Sequence, residues 1–342
     1  MSLTLEDIAK LSGVSRSTVS RVVNCDRRVS PTTRASVLKI IEEHNFYPNL
    51  AARGLASGHT NVLGVIIPAG VHSLFTDPYF PILLQGVSTA CNKQDYSVML
   101  SLSDVEFEKS LVGRLIQNHL VDGVIIASTL IGDPIQNTLA HSNLPFVIVG
   151  RQANFIANDV DIDNRQAARQ ATDFLIEQGY RRIATISGPL NQMAGLNRFE
   201  GYMDALESAG MKVDPELIAK GNFTEAGGYD GMRSLMASKP DAVFAASDIT
   251  AIGAIRCLHE AGLRIPADIG LIGFDDIPAS STITPTLTTV KQPIHGMGEA
   301  AANLLIEIIE NGSKERHHVT LPTELVIRNS TARVNHYQTI NG

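Results

Sequence analysis

The sequence predicts an N-terminal all-α head of helix-turn-helix type, followed by two α/β lobes that are each built on a doubly wound sheet. Residues 1–47 contain three short amphipathic patterns with helical spacing. After residue 61, apolar runs alternate with helical segments, and this series restarts near residue 183. Such alternation is typical of doubly wound parallel sheets. The length of 342 residues exceeds what one hydrophobic core usually serves, so several domains are expected.

The three helices of the head have recognisable start signals. Thr4 and Asp7 have the spacing of a capping box, and Ser15 stands where it can cap the second helix. Ser30 followed by Pro31 marks the start of the third helix. The apolar residues that we expect to pack together in the head are Leu5, Ile8, Ala9, Leu11, Val19, Val22, Val23, Val37, Leu38, Ile40 and Ile41.

The second helix separates its polar and apolar side chains into two arcs. At about 100° per residue, Arg16, Ser17 and Arg21 fall on one arc and Val19 and Val22 on the other. The polar arc has two arginines and no carboxylate. An arginine can donate two hydrogen bonds to O6 and N7 of guanine; the alternative is that both are ordinary solvated charges. We expect this helix to lie in the major groove of DNA.

Charge is divided unevenly along the chain. Residues 1–59 hold eight Lys/Arg against five Asp/Glu, a net of +3, and the remainder holds 20 against 30, a net of −10. A basic head on an acidic body confines nucleic-acid contact to one end of the protein. The head is only mildly basic, so tight binding needs base contacts or a second copy of the chain.

Composition predicts a globular, cytosolic protein. No segment approaches the roughly 20 apolar residues of a membrane span, and the N-terminus lacks a signal-peptide core. The three cysteines are far apart and include no CxxC pair, so neither a disulfide framework nor a zinc site is expected. The adjacent His317 and His318 are interpreted as a solvated pair, since neighbouring rings point to different faces. No metal and no cofactor are predicted.

Residues 48–60 are predicted to be a linker, because they have helical composition but are too short to form a stable helix alone. We divide the body into an N-lobe, about 61–160 plus 291–321, and a C-lobe, about 161–290 plus 322–342. The predicted strands are Val62–Ile67, Val98–Leu102, Val124–Ala127, Phe146–Val149, Ile183–Ile186, Val243–Ala246 and Leu271–Phe274, with Thr288–Gln292 and Leu325–Arg328 as candidates for crossing between lobes.

Polar and aromatic side chains follow several of these strands, at the end where a doubly wound sheet opens onto a crevice. We therefore expect a ligand site between the lobes. The sequence leaves two alternatives open: Asp248 as the cap of the helix that begins at Ile249, and Arg151 as a salt bridge that closes the lobes. The candidate ligand residues at strand ends are Asp77, Phe80, Arg151, Asp248, Phe274 and Asp275.

Seven segments, in order, resemble the lactose-repressor (LacI) family of bacterial transcription regulators, and the resemblance covers essentially the whole chain. They are LEDIAKLSGVSRSTVSRVVN (5–24), YPNLAARGLASGHTNVLGVIIP (47–68), FTDPYF (75–80), VDGVII (121–126), NRFEGYMDAL (197–206), SDITAIGA (247–254) and GFDD (273–276). The resemblance implies a homodimeric repressor whose two heads bind the half-sites of palindromic operator DNA. It also implies a body similar to periplasmic sugar-binding proteins, with a sugar, sugar acid or sugar phosphate as effector.

The resemblance further implies that paired linkers fold into hinge helices on DNA, where Leu55 wedges into the minor groove. The alternative for Leu55 is packing of one lobe against the other. Together with the arcs of the second helix, the resemblance gives these DNA-contact candidates: Thr4, Ser15, Arg16, Ser17, Thr18, Arg21, Asn24, Asn49, Ala52, Arg53 and Leu55.

In the body, the resemblance implies that Arg198 and Asp275 form a pair that hydrogen-bonds sugar hydroxyls. Phe80 and Phe274 would supply apolar faces for a sugar ring. Several sugar-responsive relatives carry an acid where this chain has Gly150 and Arg151, and this departure predicts an effector with an anionic group.

Enzyme functions are not indicated. The segment 296–301 (GMGEAA) formally fits the dinucleotide fingerprint, but it follows no clear strand and no βαβ unit comes after it. The chain has no GxSxG, GxxxxGK[ST] or HExxH motif. A stand-alone sugar-binding protein would have a signal peptide and no basic head. Control by a protein co-regulator stays open, because the ARGLAS segment resembles catabolite-control members of the family.

Overall fold

The computed structural model describes residues 3–23, 26, 28–46, 59–67, 74–102, 113, 120–127, 130–152, 155, 157–312 and 315–332. The chain forms two compact units, Met1–Asn61 and Val62–Gly342. The predicted DNA contacts of Asn24, Asn49, Ala52, Arg53 and Leu55 lie outside the described residues.

The described residues of the first unit form three helices, which are α1 (Leu5–Ser12), α2 (Arg16–Val23) and α3 (Pro31–Glu43). The predicted capping box opens α1: Thr4 Oγ1 accepts a hydrogen bond from the Asp7 N–H, and the Asp7 carboxylate accepts one from the Thr4 N–H. Gly13 ends this helix at φ +67°, in the left-handed region that glycine adopts without strain. Ser15 Oγ accepts a hydrogen bond from the Thr18 N–H, as predicted for a cap.

The core of the head is formed by one side of each helix, with Ile8, Val19, Val22 and Val37 buried. The core prediction is wrong for two residues, because Leu11 is 48% exposed and Leu38 is 47% exposed. At about 100° per residue, each lies roughly 110° from the middle of the buried arc of its helix.

The second unit contains two six-stranded sheets with the same strand order. The first sheet comprises β1 (Val62–Ile67), β2 (Ser97–Leu102), β3 (Gly123–Ala127), β4 (Phe146–Val149), β5 (Asn158–Ile162) and β11 (His318–Leu321), and the second comprises β6 (Ile183–Ser187), β7 (Ile218–Lys220), β8 (Ala242–Ala245), β9 (Gly270–Asp275), β10 (Thr288–Lys291) and β12 (Glu324–Val326). The strand orders are β11-β5-β4-β3-β1-β2 and β12-β10-β9-β8-β6-β7. Neighbouring strands are parallel except for the antiparallel pair β10 and β12. The predicted fold class, a helical head plus two doubly wound lobes, is confirmed.

Helices connect these strands. They are α4 (Tyr79–Lys93), α5 (Pro134–Ala140), α6 (Asn164–Glu177), α7 (Met193–Ser208), α8 (Glu225–Leu235), α9 (Asp248–Glu260) and α10 (Ile294–Asn311). The segment that formally fits a dinucleotide fingerprint lies inside α10, so it is not a phosphate-binding turn. A Cβ on Gly298 would overlap the Leu83 carbonyl oxygen of α4, and a Cβ on Gly86 of α4 would overlap the His295 carbonyl oxygen. These glycines let the two helices approach closely.

Three strands were not predicted, namely β5, β7 and β11. Strand β7 has only three residues, and β5 and β11 alternate polar with apolar side chains, unlike the continuous apolar runs of the central strands. Across β5 and β11, His318 Nδ1 contacts Asp159 Oδ1, and its Nε2 lies 2.9 Å from Thr320 Oγ1. The His318 side chain is exposed, and both of its ring nitrogens contact neighbouring side chains.

The chain passes between the sheets three times, between β5 and β6, between β10 and β11 and between β11 and β12. The two strands that were candidates for crossing between lobes correspond to β10 and β12. Both belong to the second sheet. Within the described part of the chain, no helix is both long and apolar enough to cross a membrane.

Candidate functional site

A cleft with about 970 Å³ of space, part of it open to solvent, is lined by residues from both lobes. Its walls come from segments that follow β1, β4, β6, β7, β8 and β10 and from the ends of β5 and β9. The residues that line the cleft include Asp77, Tyr79, Phe80, Arg151, Gln152, Asp161, Asn164, Gln192, Arg198, Asn222, Phe223, Asp275, Gln292 and Met297. Five predicted ligand residues are therefore brought together here: Asp77, Phe80, Arg151, Arg198 and Asp275.

Arg198 is buried at the start of α7 and is held from several directions. Its Nε donates to Asn164 Oδ1 at 2.8 Å, and its Nη1 donates to the Ala246 carbonyl at 2.7 Å and to Asp275 Oδ1 at 3.2 Å. The guanidinium stacks on Phe274, whose ring centroid is 3.6 Å from Cζ. Its Nη2 donates to no described residue, so one edge of the guanidinium can still bind a ligand.

Asp275 is the partner of Arg198 and is itself only partly satisfied. Oδ1 also accepts a hydrogen bond from Gln292 Nε2 at 2.6 Å, whereas Oδ2 accepts none from a described residue. Burial raises the pKa of Asp275 well above its ordinary value, and the neighbouring Arg198 opposes that rise. The backbone φ of Asp275 is +122°, a strained value for a residue with a side chain. Such strain persists where the surrounding structure enforces it, often at binding sites.

Asp161 organises the wall opposite Asp275. Oδ1 accepts hydrogen bonds from the Ile162 N–H and from Asn164 Nδ2, and Oδ2 accepts one from the Arg151 N–H at 2.9 Å. Asn164 Oδ1 in turn accepts from Arg198 Nε, so one chain of hydrogen bonds links the backbone of Arg151 to the guanidinium of Arg198. Burial raises the pKa of Asp161 above its ordinary value.

Asp77 and Arg151 leave their side chains more accessible. Asp77 Oδ1 accepts a hydrogen bond from the Tyr79 N–H at 3.0 Å, and burial raises the pKa of the carboxyl. Arg151 is exposed, and its guanidinium makes no hydrogen bond or ion pair with a described residue. The alternative of a salt bridge that closes the lobes is therefore not seen among the residues described.

Two predicted ligand residues, Phe274 and Asp248, do not line the cleft, and both are fully buried. Phe274 lies under the Arg198 guanidinium, so its face is already covered. The Asp248 carboxylate accepts hydrogen bonds from the Ile277 N–H, Ser280 Oγ and Thr289 Oγ1. Burial raises its pKa to about 6. The cap of α9 is Ser247, whose Oγ accepts from the Thr250 N–H, so Asp248 serves neither function considered for it.

Sequence reasoning missed Asp161, Asn164, Phe223 and Gln292. Asp161 lies at the end of β5, which was not recognised as a strand. Gln292 is the last residue of the predicted strand Thr288–Gln292 and directly follows β10, so its position at a strand end was a usable signal. Phe223, at φ +57°, lies in the loop after the three-residue β7, and no sequence pattern pointed to it.

The head presents a second candidate site on α2, where Arg16, Ser17 and Arg21 are exposed. Neither arginine side chain bonds to a described residue, while Ser17 Oγ lies 2.7 Å from Ser15 Oγ. The hydroxyls of Thr4 and Ser15 are used in helix caps, and Thr18 is half-buried. The polar arc predicted from the sequence is thus exposed, and its two arginine side chains form no hydrogen bond or ion pair with a described residue.

A helix-turn-helix head joined to a two-lobed body with a polar cleft defines a transcription regulator of the ligand-responsive class. The family model described as bacterial regulatory proteins, lacI family, matches residues 4–49, and the periplasmic binding protein-like domain matches residues 172–331. The chain is 38% identical over 332 residues to the HTH-type transcriptional regulator CelR of Thermobifida fusca, covering 96% of this chain and 98% of CelR.

Solved structures agree with this assignment. The CelR–cellobiose complex has a TM-score of 0.76 at 37% identity, covering 96% of this chain and 99% of that chain. The lac repressor dimer bound to operator and the anti-inducer ONPF has a TM-score of 0.87 at 29% identity, covering 97% and 99%. The chain belongs to the LacI family of bacterial regulatory proteins.

Proposed function

We propose that this chain is a homodimeric repressor that binds operator DNA through its heads and responds to a neutral sugar in the cleft. The head is residues 1–47, the linker is 48–60 and the body is 61–342. The protein acts in the cytoplasm, where its DNA is, and catalyses no reaction. The observation that carries the proposal is that one chain has two exposed arginines on α2 and, in a cleft, an Arg198–Asp275 pair that keeps one edge of the guanidinium and one carboxylate oxygen free of described partners.

The DNA half of the proposal is supported by the head. Arg16 and Arg21 are exposed on one helix, and their guanidinium groups form no hydrogen bond or ion pair with a described residue, so they can contact bases or phosphates. The lac repressor structure similar to this chain holds operator DNA as a dimer. Two heads double the contacts that one mildly basic head supplies.

We expect Arg21→Ala to weaken specific DNA binding by about 1–3 kcal/mol and to relax preference at one operator position, since each bidentate base contact contributes that much. The operator is first selected from random duplexes, and affinity is then measured by fluorescence anisotropy. Arg169→Ala, an equal charge change on α6 of the body, is the matched control and should leave affinity unchanged. Equal losses in both variants would refute the role of Arg21.

The charges of the cleft favour a neutral effector. Three carboxyl groups, Asp77, Asp161 and Asp275, line it, and the charge of Arg198 is already paired with Asp275. Carboxylates and amides suit the hydroxyls of a sugar, and the rings of Tyr79, Phe80 and Phe223 can cover its C–H faces. Arg151 alone favours the anionic effector that the sequence predicted. The similar regulator CelR forms a complex with cellobiose, a neutral sugar.

Calorimetry separates the two kinds of effector. A thermal-shift panel of neutral sugars, sugar acids and sugar phosphates identifies binders, and the best neutral sugar is then titrated beside its phosphorylated form. We expect the neutral form to bind at least about tenfold more tightly, a difference of roughly 1.4 kcal/mol. Tighter binding of the phosphorylated form, lost in Arg151→Ala, would overturn this choice. A protein co-regulator is indicated if no compound binds and a carrier protein is captured instead.

The sugar controls DNA binding through its differential affinity for two arrangements of the lobes. A ligand that binds both arrangements equally shifts nothing. Arg198, Asp275 and Asn222 come from the second-sheet lobe, whereas Asp77 and Arg151 come from the other. A sugar that touches both walls therefore favours the arrangement in which the walls are close.

A further inference from the structure

A second cavity, which we call the side cavity, lies beside the cleft. It has about 520 Å³ of space, part of it open to solvent, and its lining includes Ile131, Asp133, Gln136, Asn137, Gln152 and Phe155. Gln152 also lines the cleft. At a second point, the Ile131 N–H donates to the Asn191 carbonyl at 2.8 Å, and the next residue, Gln192, lines the cleft. The two cavities are thus neighbours at two places.

The chemistry of the side cavity repeats that of the cleft. Asp133, Gln136 and Asn137 offer a carboxylate and two amides, which can accept and donate hydrogen bonds. Phe155 offers an aromatic face and is stacked on Phe146, with 6.2 Å between ring centroids. The lining contains no Lys, Arg or His among the described residues, so nothing there selects an anion.

Two polar side chains of the side cavity form few hydrogen bonds with the described residues. Gln136 is only 3% exposed, yet its one contact with a described residue is a long one, from Nε2 to the Leu130 carbonyl at 3.5 Å. Asp133 is 8% exposed; Oδ1 accepts from the Ile135 N–H, while Oδ2 accepts from no described residue. In the described part of the chain neither Gln136 nor Asp133 has a fully buried polar atom that lacks a partner, so their remaining oxygens can be satisfied by water or by a ligand.

We infer that the side cavity holds a second sugar ring, so that the effector is an oligosaccharide of at least two rings. The inference rests on the proposed sugar effector and extends it. One sugar ring lies at Arg198 and Asp275. The glycosidic linkage passes Gln152, and the next ring packs on Phe155. Its hydroxyls bond to Asp133, Gln136 and Asn137. A monosaccharide would fill the cleft and leave these groups to water.

The test compares sugars that differ only in ring number, using the full chain. Glucose and galactose are titrated by calorimetry beside cellobiose, maltose, lactose and trehalose. We expect at least one disaccharide to bind with a Kd about tenfold or more below that of its component monosaccharides, equivalent to about 1.4 kcal/mol.

Variants locate the second ring. Asn137→Ala and Phe155→Ala should each raise the Kd of the best disaccharide severalfold and leave that of the best monosaccharide unchanged. Asn143→Ala, an exposed asparagine outside the cavity, is the control and should change neither. Asn137 is exposed, so its variant is expected to fold even if Phe155→Ala does not.

The results distinguish a failure of the second sugar ring from a failure of the sugar effector itself. If a monosaccharide binds as tightly as every disaccharide, or if the variants leave disaccharide binding unchanged, the inference is overturned while the sugar effector stands. If operator DNA is bound but no sugar of either kind binds, the proposed effector class itself fails, and the second ring fails with it.

Discussion

Arg198→Met is expected to lower the free energy of unfolding by about 3–5 kcal/mol, the usual cost of removing one partner of a buried ion pair. The change leaves Asp275 buried without its cation, and it removes the donors to Asn164 Oδ1 and to the Ala246 carbonyl. Urea unfolding measures the loss. The same variant should no longer respond to any sugar, because the free edge of the guanidinium is gone.

The loss should depend on pH in a defined direction. Burial already raises the pKa of Asp275, and removing Arg198 takes away the charge that opposes that rise. An acid whose pKa is higher in the folded state than in the unfolded state destabilises the fold. This destabilisation grows as the pH rises from the unfolded-state pKa to the folded-state pKa. Arg198→Met should therefore unfold more easily at pH 8 than at pH 5, relative to the unchanged protein. An equal loss at both pH values would mean that Asp275 is not the stranded group.

A double variant separates stability from recognition. Arg198→Met with Asp275→Asn has no buried charge in the pair, so we expect it to regain much of the stability lost by the single variant. It should still fail to bind sugar, because neither the guanidinium edge nor the carboxylate oxygen is present. Operator binding without sugar should be retained, since both changes lie in the body. A sugar response in the double variant would exclude this pair as the recognition element.

The parts of the fold predicted from the sequence are those with a simple period. Central strands such as β1, β4 and β8 are continuous apolar runs because they are buried on both faces, and such runs can be read directly. Strand β5 was missed because Asp159 and Asp161 interrupt the run. In the head, the sequence predicts the helices correctly but assigns Leu11 and Leu38 to the buried sides of their helices, where they do not lie. Spacing alone does not fix the middle of a buried arc.

The residues of the candidate site also divide into those that the sequence predicts and those that depend on tertiary packing. Position after a strand was enough to bring Asp77, Arg151 and Asp275 to one cleft, because parallel strands end at one edge of the sheet. It was not enough to distinguish a side chain that faces the cleft from one that supports it. Asp248 and Phe274 also follow or end strands, yet the first ties together loops around Ile277 and the second lies beneath Arg198. That distinction depends on tertiary packing.

The second large effect is expected in α10, where two glycines two residues apart should respond oppositely to alanine. Gly298→Ala should lower the free energy of unfolding by about 1–3 kcal/mol. The new Cβ would overlap the Leu83 carbonyl oxygen and lie 2.9 Å from the Val87 amide nitrogen. These are backbone atoms of α4, which cannot move aside as a flexible side chain can.

Gly296→Ala is the matched control. Its Cβ would meet nothing closer than Pro293 Cβ at 3.7 Å, so alanine only improves helix propensity, and we expect a gain of about 0.5–1 kcal/mol. Both variants are measured by urea unfolding under one set of conditions. Equal effects of either sign would contradict close packing of α4 and α10, because helix propensity alone predicts the same gain at both positions.

The contact between α4 and α10 also bears on the cleft. Tyr79 and Phe80, at the start of α4, and Met297 of α10 line it, so these two helices set the position of one wall. If Gly298→Ala separates the helices, that wall moves relative to Asp275, and sugar affinity falls together with stability. Gly296→Ala should leave sugar affinity unchanged. A Gly298→Ala protein that is less stable but binds sugar with normal affinity would show that the helices separate away from the cleft, at the end where Lys93 and Glu299 pair.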